Sequence, residues 1–215
     1  GNVAIERSTD GGANWVAAAS VPALGGRLNA VCYDAGTGRW TAVGTDLTFN
    51  GTLLAEGARI LTSTDGNTWT AVTIPSGAAA LNDVATDGAG NLVAVGDVGT
   101  VITSSDGGLT WSLSPVSEDI SENLNAIVYS STSGSWTAGG DDLVQIGYTV
   151  GGGATVSQPP IPGGGDITAI IVDGSGQISV SGGGFSSVAT VTLGNLSATY
   201  DGSPKSASAT TSNPS

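Results

Sequence analysis

The chain has 215 residues, with 18 acidic side chains against 5 basic ones, a formal net charge of −13 and no histidine. The acidic balance argues against binding to nucleic acid or to anionic membranes, which both rely on Lys and Arg, and the lack of His excludes Ser–His or Cys–His catalysis and His-ligated zinc. No apolar run approaches the roughly 18 residues of a transmembrane helix, and 35 glycines beside few lysines are typical of secreted all-β chains.

A unit of four short strands is predicted to recur along the chain. Residues 3–18 supply the last two strands of one unit, and the following repeats open with the same strand pattern at Leu28, Leu81, Leu124 and Ile167. Second strands follow Gly-rich turns, at 39–44, 91–96, 135–140 and 177–182. Third strands are predicted at 59–62 and 100–103, and fourth strands at 69–72 and 111–113. Four strands in roughly 40 to 45 residues predict the blade of a β-propeller.

Three copies of one turn motif stand between the predicted third and fourth strands. Each copy reads Ser-x-Asp-Gly, with Trp following three or four residues after the Gly. Asp and Ser side chains accept hydrogen bonds from the backbone N–H groups of their own turn, Gly supplies a positive φ, and the indole folds back over the hairpin. The motif is therefore predicted to be structural. Its residues are Ser8, Asp10, Gly11, Trp15, Ser63, Asp65, Gly66, Trp69, Ser104, Asp106, Gly107 and Trp111.

The first full unit is longer than the others, because Thr45–Ala58 is inserted between its second and third strands. Loops carried on a rigid scaffold are where binding specificity usually lies. This insertion is therefore a candidate for a specific interaction.

The complete motif, Ser-x-Asp-Gly-Gly-x-Thr-Trp, resembles the Asp-box of the BNR-repeat propellers found in sialidases and many other secreted proteins. The segment from Leu81 to Trp111, with its Leu-Asn-Asp-Val and Ser-Ser-Asp-Gly-Gly-Leu-Thr-Trp, is most similar to the photosystem-II-assembly-factor (Ycf48-like) subgroup. The resemblance covers about residues 1–182. It implies a propeller whose boxes lie on outer turns, away from the central site. One unit departs from the pattern, because Leu143–Ala154 contains no box.

The end of the chain resembles a different family. Val191–Thr211, and above all Leu196–Lys205, is similar to the opening of an MBG module, a small Gly-rich β-sandwich of large bacterial surface proteins. About 28 residues are too few to bury a core alone, so this segment is expected to pair with another sheet or to be incomplete. The predicted domains are a β-propeller at 1–187 and an MBG-like segment at 188–215. The propeller units are about 1–27, 28–80, 81–123, 124–166 and 167–187, of which the first and last are partial.

The two partial units are complementary. Residues 3–18 supply third and fourth strands, whereas residues 167–182 supply first and second strands. A composite blade built from both would close a four-bladed ring and remove exposed sheet edges. Asp-box propellers usually have more blades, so a chain that continues upstream is the alternative.

A sialidase would need clustered arginines, a Tyr nucleophile with an acidic partner, and a separate acid. The arginines occur at unrelated phases of the repeat, at Arg7, Arg27, Arg39 and Arg59. Arg7 and Arg59 are expected to be solvated charges on third strands, beside boxes. Tyr33 and Tyr129 fall at equivalent repeat positions, so packing explains them better than catalysis.

Two carboxylate pairs, Glu118-Asp119 and Asp141-Asp142, have the chemistry of glycoside hydrolysis, but their polar loops favour solvated side chains. Cys32 lies in an alternating strand and is interpreted as a small buried apolar residue. No catalytic or cofactor-binding residue is predicted.

Calcium is a weak alternative at two Asp- and Gly-containing turns, Asp87–Gly90 and Asp173–Gly176, because carboxylate and carbonyl oxygens are its usual ligands. Neither turn has the twelve-residue EF-hand spacing, so hairpin turn chemistry is preferred and no metal site is predicted.

The first function hypothesis is a non-catalytic structural or adhesive module of a bacterial surface or secreted protein, located outside the cell. Its expected partners are further copies of itself, neighbouring surface modules or glycans. The alternatives are a glycan-binding or sialidase-like propeller and a Ycf48-like assembly factor.

Overall fold

The structure is a computed structural model, and it describes residues 4–22, 25–49, 54–115, 117, 120–143, 145–149, 153–157, 165–183, 190–194 and 208–212. The regular structure in these residues is almost entirely antiparallel β-sheet, which confirms the predicted all-β class. No helix in the described part of the chain is long and apolar enough to cross a membrane.

The strands follow one another as repeated units. An N-terminal hairpin consists of β1 (Glu6–Arg7) and β2 (Val16–Ala17). The first unit contains β3 (Gly26–Asp34), β4 (Arg39–Phe49), β5 (Leu54–Ser63) and β6 (Thr70–Ala71). The second unit contains β7 (Leu81–Thr86), β8 (Leu92–Gly96), β9 (Val101–Ser104) and β10 (Ser112–Leu113). The third unit contains β11 (Leu124–Ser130), β12 (Ser135–Gly140), β13 (Gln145–Thr149) and β14 (Gly153–Ser157), with a short 3-10 turn at Asp141–Leu143.

Two hairpins complete the described strands. The fourth-unit hairpin contains β15 (Asp166–Val172) and β16 (Ile178–Gly183), and the tail hairpin contains β17 (Thr190–Gly194) and β18 (Ser208–Ser212). In each four-stranded unit the strands lie side by side in chain order, as in a propeller blade.

The hydrophobic core lies between neighbouring units. One buried cluster joins Val43 and Ile60 of the first unit to Leu81 and Leu92 of the second. A second cluster joins the second unit to the third, with Trp136 among its buried residues. Because a central strand such as β8 is covered on both faces, its sequence is a continuous apolar run rather than an alternation.

Every leading strand carries a β-bulge at the same place, directly after its first repeat residue. The bulge brings the leading strand against the glycine that ends the second strand. A Cβ atom on Gly96 would lie 1.9 Å from the Ala80 carbonyl oxygen, and one on Gly140 would lie 1.8 Å from that of Asn123. Gly44 and Gly182 are equally confined, which explains why this glycine occurs in all four repeats.

The composite blade expected from the two partial units is not formed. The N-terminal hairpin packs on the first unit, where Ile5 contacts a buried cluster with Leu61 and Trp69. The fourth-unit hairpin packs on the third unit, so the two hairpins are separate two-stranded sheets. Within the described residues the first and last units are therefore partial, and the closed four-bladed ring, one of the two alternatives that the sequence left open, is not formed.

The described part of the insertion in the first unit is regular β-structure. β4 and β5 extend past the neighbouring strands and pair with each other from Trp40 and Ser63 out to Phe49 and Leu54. We call the paired residues of this extension, 45–49 and 54–58, the ribbon. In the third unit, which has no box, β13 and β14 still form a hairpin. The MBG-like run Leu196–Lys205 lies outside the described residues.

Candidate functional site

The three Asp-boxes adopt one hydrogen-bond pattern on the turns between third and fourth strands. In the second copy, Ser63 Oγ donates to Asp65 Oδ1 at 2.9 Å, and the Thr68 N–H donates to the same oxygen at 2.7 Å. The Trp69 indole N–H donates to the Gly66 carbonyl at 3.2 Å. The first and third copies repeat these contacts. The Ser and Asp side chains of the boxes bond within their own turns.

These hydrogen bonds shift the acidity of the box carboxyls. The Ser8 hydroxyl, followed by the Asn14 side chain, lowers the pKa of Asp10 to about 2. The Thr68 and Asn67 N–H groups lower the pKa of Asp65 to about 2. Burial acts to raise the pKa of Asp106, but its hydrogen bonds outweigh burial and lower it. The box carboxylates are therefore ionised at neutral pH.

An asparagine on each of the first three leading strands links its unit to the next one. Asn29 Nδ2 donates to the Leu81 carbonyl at 2.7 Å, and Asn82 Nδ2 donates to the Leu124 carbonyl at 3.0 Å. Asn125 Nδ2 continues the series to the carbonyl of Ile167 at 3.0 Å. This link between units was not predicted from the sequence, although the repeated Leu-Asn pair was a usable signal.

Carboxylates orient two of these asparagines. Asp97 accepts a hydrogen bond from Asn82 at 2.8 Å, and Asp141 accepts one from Asn125 at 2.8 Å and one from Asn123 at 2.9 Å. Asp97 and Asp141 follow the second strands of their units, so both lie at the end of the units where the ribbon leaves the first unit. We call this end the rim.

Arg59 anchors the base of the ribbon. Its side chain is buried, its Nη2 donates to Asp46 Oδ1 at 2.8 Å and to the Gly25 carbonyl at 2.6 Å, and Asp46 stays 35 % exposed. The expectation that Arg59 is a solvated edge charge was therefore wrong. No local sequence pattern indicates this pair, because its register depends on the unusual length of β4 and β5.

The other arginines do not gather around Arg59. Arg7 is half-buried and reaches the Asp65 carbonyl at 3.5 Å, whereas the exposed Arg27 contacts Asn29 at 3.2 Å. Arg39 lies at the opposite end of β4, paired in register with Asp34. The arrangement does not form a shared pocket for a substrate carboxylate.

The two repeat-equivalent tyrosines pack against tryptophans on the adjacent strand. The ring centroids of Tyr33 and Trp40 are 4.7 Å apart, and those of Tyr129 and Trp136 are 4.6 Å apart. Their equal geometry agrees with the packing interpretation.

Asp34 joins the first unit to the second at the end opposite the rim. Its buried carboxylate accepts hydrogen bonds from Thr37, from the Thr86 hydroxyl and from the Gly90 N–H at 3.0 Å. Burial acts to raise the pKa of Asp34, but these bonds together lower it. The neighbouring Cys32 packs against the core, and its burial, with the charges of Asp34 and Asp83, raises the pKa of the thiol to about 12.

The remaining candidate carboxylates are engaged locally or lie outside the described residues. Glu118-Asp119 is outside them, and Asp141 is held by asparagines whereas Asp142 is exposed. In the two turns considered for calcium, Asp87 accepts the Ala89 N–H at 2.8 Å and Asp173 accepts the Ser175 N–H at 2.8 Å. Within the described ranges, no three or more His, Cys, Asp or Glu side chains form a group suited to a metal ion.

A cavity of about 690 Å³ lies between the N-terminal hairpin and the first unit. Its lining is mainly apolar and aromatic and includes Ile5, Trp15, Val31, Trp40 and Trp69.

Solved structures with the same fold include YCF48 proteins. The chain is 14% identical to one described as YCF48 bound to D1 peptide, with a TM-score of 0.58, covering 83% of this chain and 54% of that chain. It is 15% identical to YCF48 from Cyanidioschyzon merolae, with a TM-score of 0.56, covering 82% of this chain and 57% of the other. A structure of a nidogen/laminin complex is 13% identical, with a TM-score of 0.57, covering 83% and 64%. The chain thus spans a little over half the length of these YCF48 structures.

No curated protein matches the sequence. Residues 189–215 match the family model described as MBG domain, over a short stretch. The comparisons support a BNR-like propeller of the Ycf48 type, which was the last of the function hypotheses, and they lend no support to an extracellular adhesive module. Residues 25–146, more than half of the chain, match the family model described as photosynthesis system II assembly factor YCF48, and the chain therefore belongs to that family.

Proposed function

We propose that this chain is a non-catalytic propeller module that binds an extended, basic segment of a partner protein along the ribbon. Its family supports a role in assembly, and one structural relative is described as YCF48 bound to D1 peptide. At 14% identity and 54% coverage of that chain, the identity of the bound peptide does not carry over. The proposal therefore concerns the class of ligand.

The ribbon carries this proposal. β3 pairs with β4 only as far as Gly26 and Asp46, and β6 pairs with β5 only at Leu61 and Thr62. Beyond these points the Leu47 N–H still donates to the Gly25 carbonyl at 3.5 Å, and the described residues give the outer edges of the ribbon no further strand partner. An extended peptide can add to such an edge through main-chain hydrogen bonds, and the buried Arg59 holds the base in place.

The acidic residues near the ribbon indicate that the bound peptide is basic. Asp97 and Asp141 lie on the rim, and the 3-10 turn places the exposed Asp142 beside Asp166, whose carboxylate accepts the Asp142 N–H at 3.3 Å. The chain carries a net charge of −13. Complementary potentials steer association and favour partners of opposite sign, so Lys- and Arg-containing segments are the expected ligands.

The other sequence-based expectations remain proposals. The short MBG match at 189–215 supports a place beside an MBG-type module of a bacterial surface or secreted protein. Binding of glycans has no comparable support.

A shortened ribbon tests the peptide proposal. Because Asp46 pairs with Gly57, residues 47–56 can be replaced by Asn-Gly, which forms a two-residue hairpin turn. Fluorescence anisotropy with labelled Lys-rich peptides of high β-propensity should show salt-sensitive binding to the parent chain and none to the shortened chain. Acidic peptides of the same length serve as the ligand control.

Thermal unfolding followed by circular dichroism establishes that the shortened chain still folds. Equal binding by the shortened and parent chains would contradict the proposed location. A parent chain that binds no basic peptide, or binds acidic peptides equally well, would overturn the proposal itself.

A further inference from the structure

A turn on the rim holds an apolar residue in a conformation that such residues rarely adopt. Val98 lies between β8 and β9 with a φ of 51°, and it is one of two non-glycine residues with a positive φ in the described part of the chain. A β-branched residue in this left-handed region is an outlier, because its Cβ approaches the following carbonyl oxygen. The side chain is 64% exposed, so packing in the core does not explain the valine.

The turn is a two-residue hairpin in which valine is the unusual choice. The Thr100 N–H donates to the Asp97 carbonyl at 3.0 Å, with Val98 and Gly99 as the two central residues. Both have a positive φ, of 51° and 64°, as in a type I′ turn. Asn-Gly and Gly-Gly are preferred in such turns, because these residues tolerate a positive φ. Asparagine at position 98 would therefore suit the backbone better than valine.

The segment that leads into the third unit fixes this turn in place. The Val98 N–H donates to Asn123 Oδ1 at 3.0 Å, and the Gly99 N–H donates to the Glu122 carbonyl at 2.7 Å. A Cβ atom on Gly99 would collide with the backbone of Ile120, so the two segments are in close contact. The exposed isopropyl group is thus held in one position, and such pre-organisation lowers the entropic cost of a binding contact.

Asp142 occupies the equivalent position in the third unit. Each of the two residues follows by two positions the glycine that ends its second strand, and Asp142 also has a positive φ, of 52°. Asp142 is exposed. Asn123 connects the two turns, because its Oδ1 accepts the Val98 N–H and its Nδ2 donates to Asp141 Oδ2 at 2.9 Å. Neighbouring units therefore present an apolar and an acidic side chain at equivalent points of the rim.

The charged side chains of the second and third units are all acidic. No Lys or Arg occurs between Arg59 and Lys205, so a basic ligand meets no like charge from these units. Charge complementarity favours Lys or Arg in a ligand at this part of the rim. Contact with Val98 requires an apolar group beside that basic one.

We propose that Val98 is a specificity-determining contact of the peptide site, which binds an aliphatic side chain of the partner segment next to a Lys or Arg that pairs with Asp142. This inference rests on the proposed function: the ribbon and the rim lie at the same end of the units, and the second unit directly adjoins the first. It narrows the ligand from basic peptides to segments in which an aliphatic residue stands beside a basic one. Strained residues of this kind occur at ligand-binding sites, where function offsets the lost stability.

Two labelled peptides test this specificity by fluorescence anisotropy. Both alternate Lys and Thr, and in one of them a central Thr is replaced by Leu. The parent chain should bind the Leu peptide about tenfold more tightly, because one buried aliphatic contact is added to the same charges.

The variant Val98→Asn separates the contact from the stability of the turn. It should remove the preference for the Leu peptide, so that both peptides bind equally. It should also raise the Tm by roughly 2 to 4 °C, because asparagine tolerates the positive φ. Val98→Ile keeps a β-branched apolar side chain, and it should retain both the Leu preference and the Tm of the parent.

Two further variants are controls for location and charge. Leu109 is 50% exposed but lies on the box turn at the opposite end of β9, so Leu109→Asn should leave the Leu preference unchanged. Asp142→Asn removes only a charge. It should weaken both peptides by the same factor and reduce the salt dependence of binding, while the Leu preference remains.

The outcomes distinguish this inference from the ribbon proposal. A Leu preference that survives Val98→Asn, or a Tm of that variant below the parent value, would overturn the role of Val98. Equal binding of the two peptides by the parent chain would do the same. If the shortened ribbon loses both peptides in either case, the ribbon proposal stands alone. A parent chain that binds neither peptide overturns both.

Discussion

Side chains at fixed repeat positions form hydrogen bonds with backbone N–H and C=O groups that have no partner within the sheets. Asp in each box accepts N–H groups of its own turn, whereas Asn on each of the first three leading strands donates to a carbonyl of the next unit. The first contact is local and the second spans 42 to 52 residues of sequence. Both are typical of repeat proteins, in which each unit is stabilised by itself and by its neighbour.

The buried pair of Arg59 and Asp46 gives a prediction about stability. Replacement of Arg59 by Met leaves the Asp46 carboxylate and the Gly25 carbonyl without their donor, and breaking a buried pair in this way costs about 3 kcal/mol. Asp46 is 35% exposed, which moderates the loss. Urea unfolding monitored by Trp fluorescence measures it.

The double variant Arg59→Met with Asp46→Leu is the control for this prediction. Removal of both charges should restore most of the lost stability, because two desolvated charges are replaced by apolar contacts. A double variant as unstable as the single one would show that Arg59 acts through packing and not through the pair.

The Asp-boxes predict how stability depends on pH. The pKa of Asp10 and of Asp65 is about 2 in the folded chain, below the ordinary value of 3.8. A folded-state pKa below the unfolded one contributes stability that is complete above the unfolded pKa and is lost as pH falls through the folded one. Unfolding midpoints should therefore decrease between about pH 4 and pH 2.

The variant Asp65→Asn tests the contribution of one box carboxylate to this pH dependence. The variant should be less stable than the parent at pH 7, and the difference should shrink as the pH approaches about 2. Parallel pH profiles for parent and variant would show that the carboxylate charge has no part in the turn.

At the scale of the strand, the bulge and its glycine act as one feature. The bulged leading strand places a carbonyl where the second strand would otherwise carry a side chain. This close approach permits only Gly at positions such as 96 and 140, irrespective of the strand propensity of the sequence around them.

The prediction for this feature is Gly96→Ala. A Cβ atom there would lie 1.9 Å from the Ala80 carbonyl oxygen, so the strands must separate at a cost of about 3 kcal/mol or more. Gly57→Ala is the matched control, because no atom lies within 4 Å of the added Cβ, and it should be nearly neutral. Chemical unfolding compares them, and equal losses would contradict the close approach.

At the scale of the molecule, the chain is a row of units whose core lies at the contacts between them. The second unit is covered on both sides, whereas the N-terminal and fourth-unit hairpins each have one covered side. The free energy of unfolding of such an array is roughly a sum of one term for each unit and one for each contact between neighbouring units. The local stability should therefore decrease from the middle of the row to its ends.

Hydrogen exchange measures this gradient. Amides of β8 and β9 should exchange slowest and those of β1 and β16 fastest. Equal exchange rates in the central and the terminal strands would contradict the gradient.

The sequence alone determined the features that depend on local chemistry. The strand alternation, the Gly-containing turns, the phase of the four repeats and the Asp-boxes all follow from residues close together in the chain, and they predicted the all-β propeller. Only the tertiary structure decided that Arg59 is buried against Asp46, that Asn29 reaches Leu81, and that the two partial units remain apart. The physical reason is that each of these depends on the register or packing of separate strands, which no local pattern specifies.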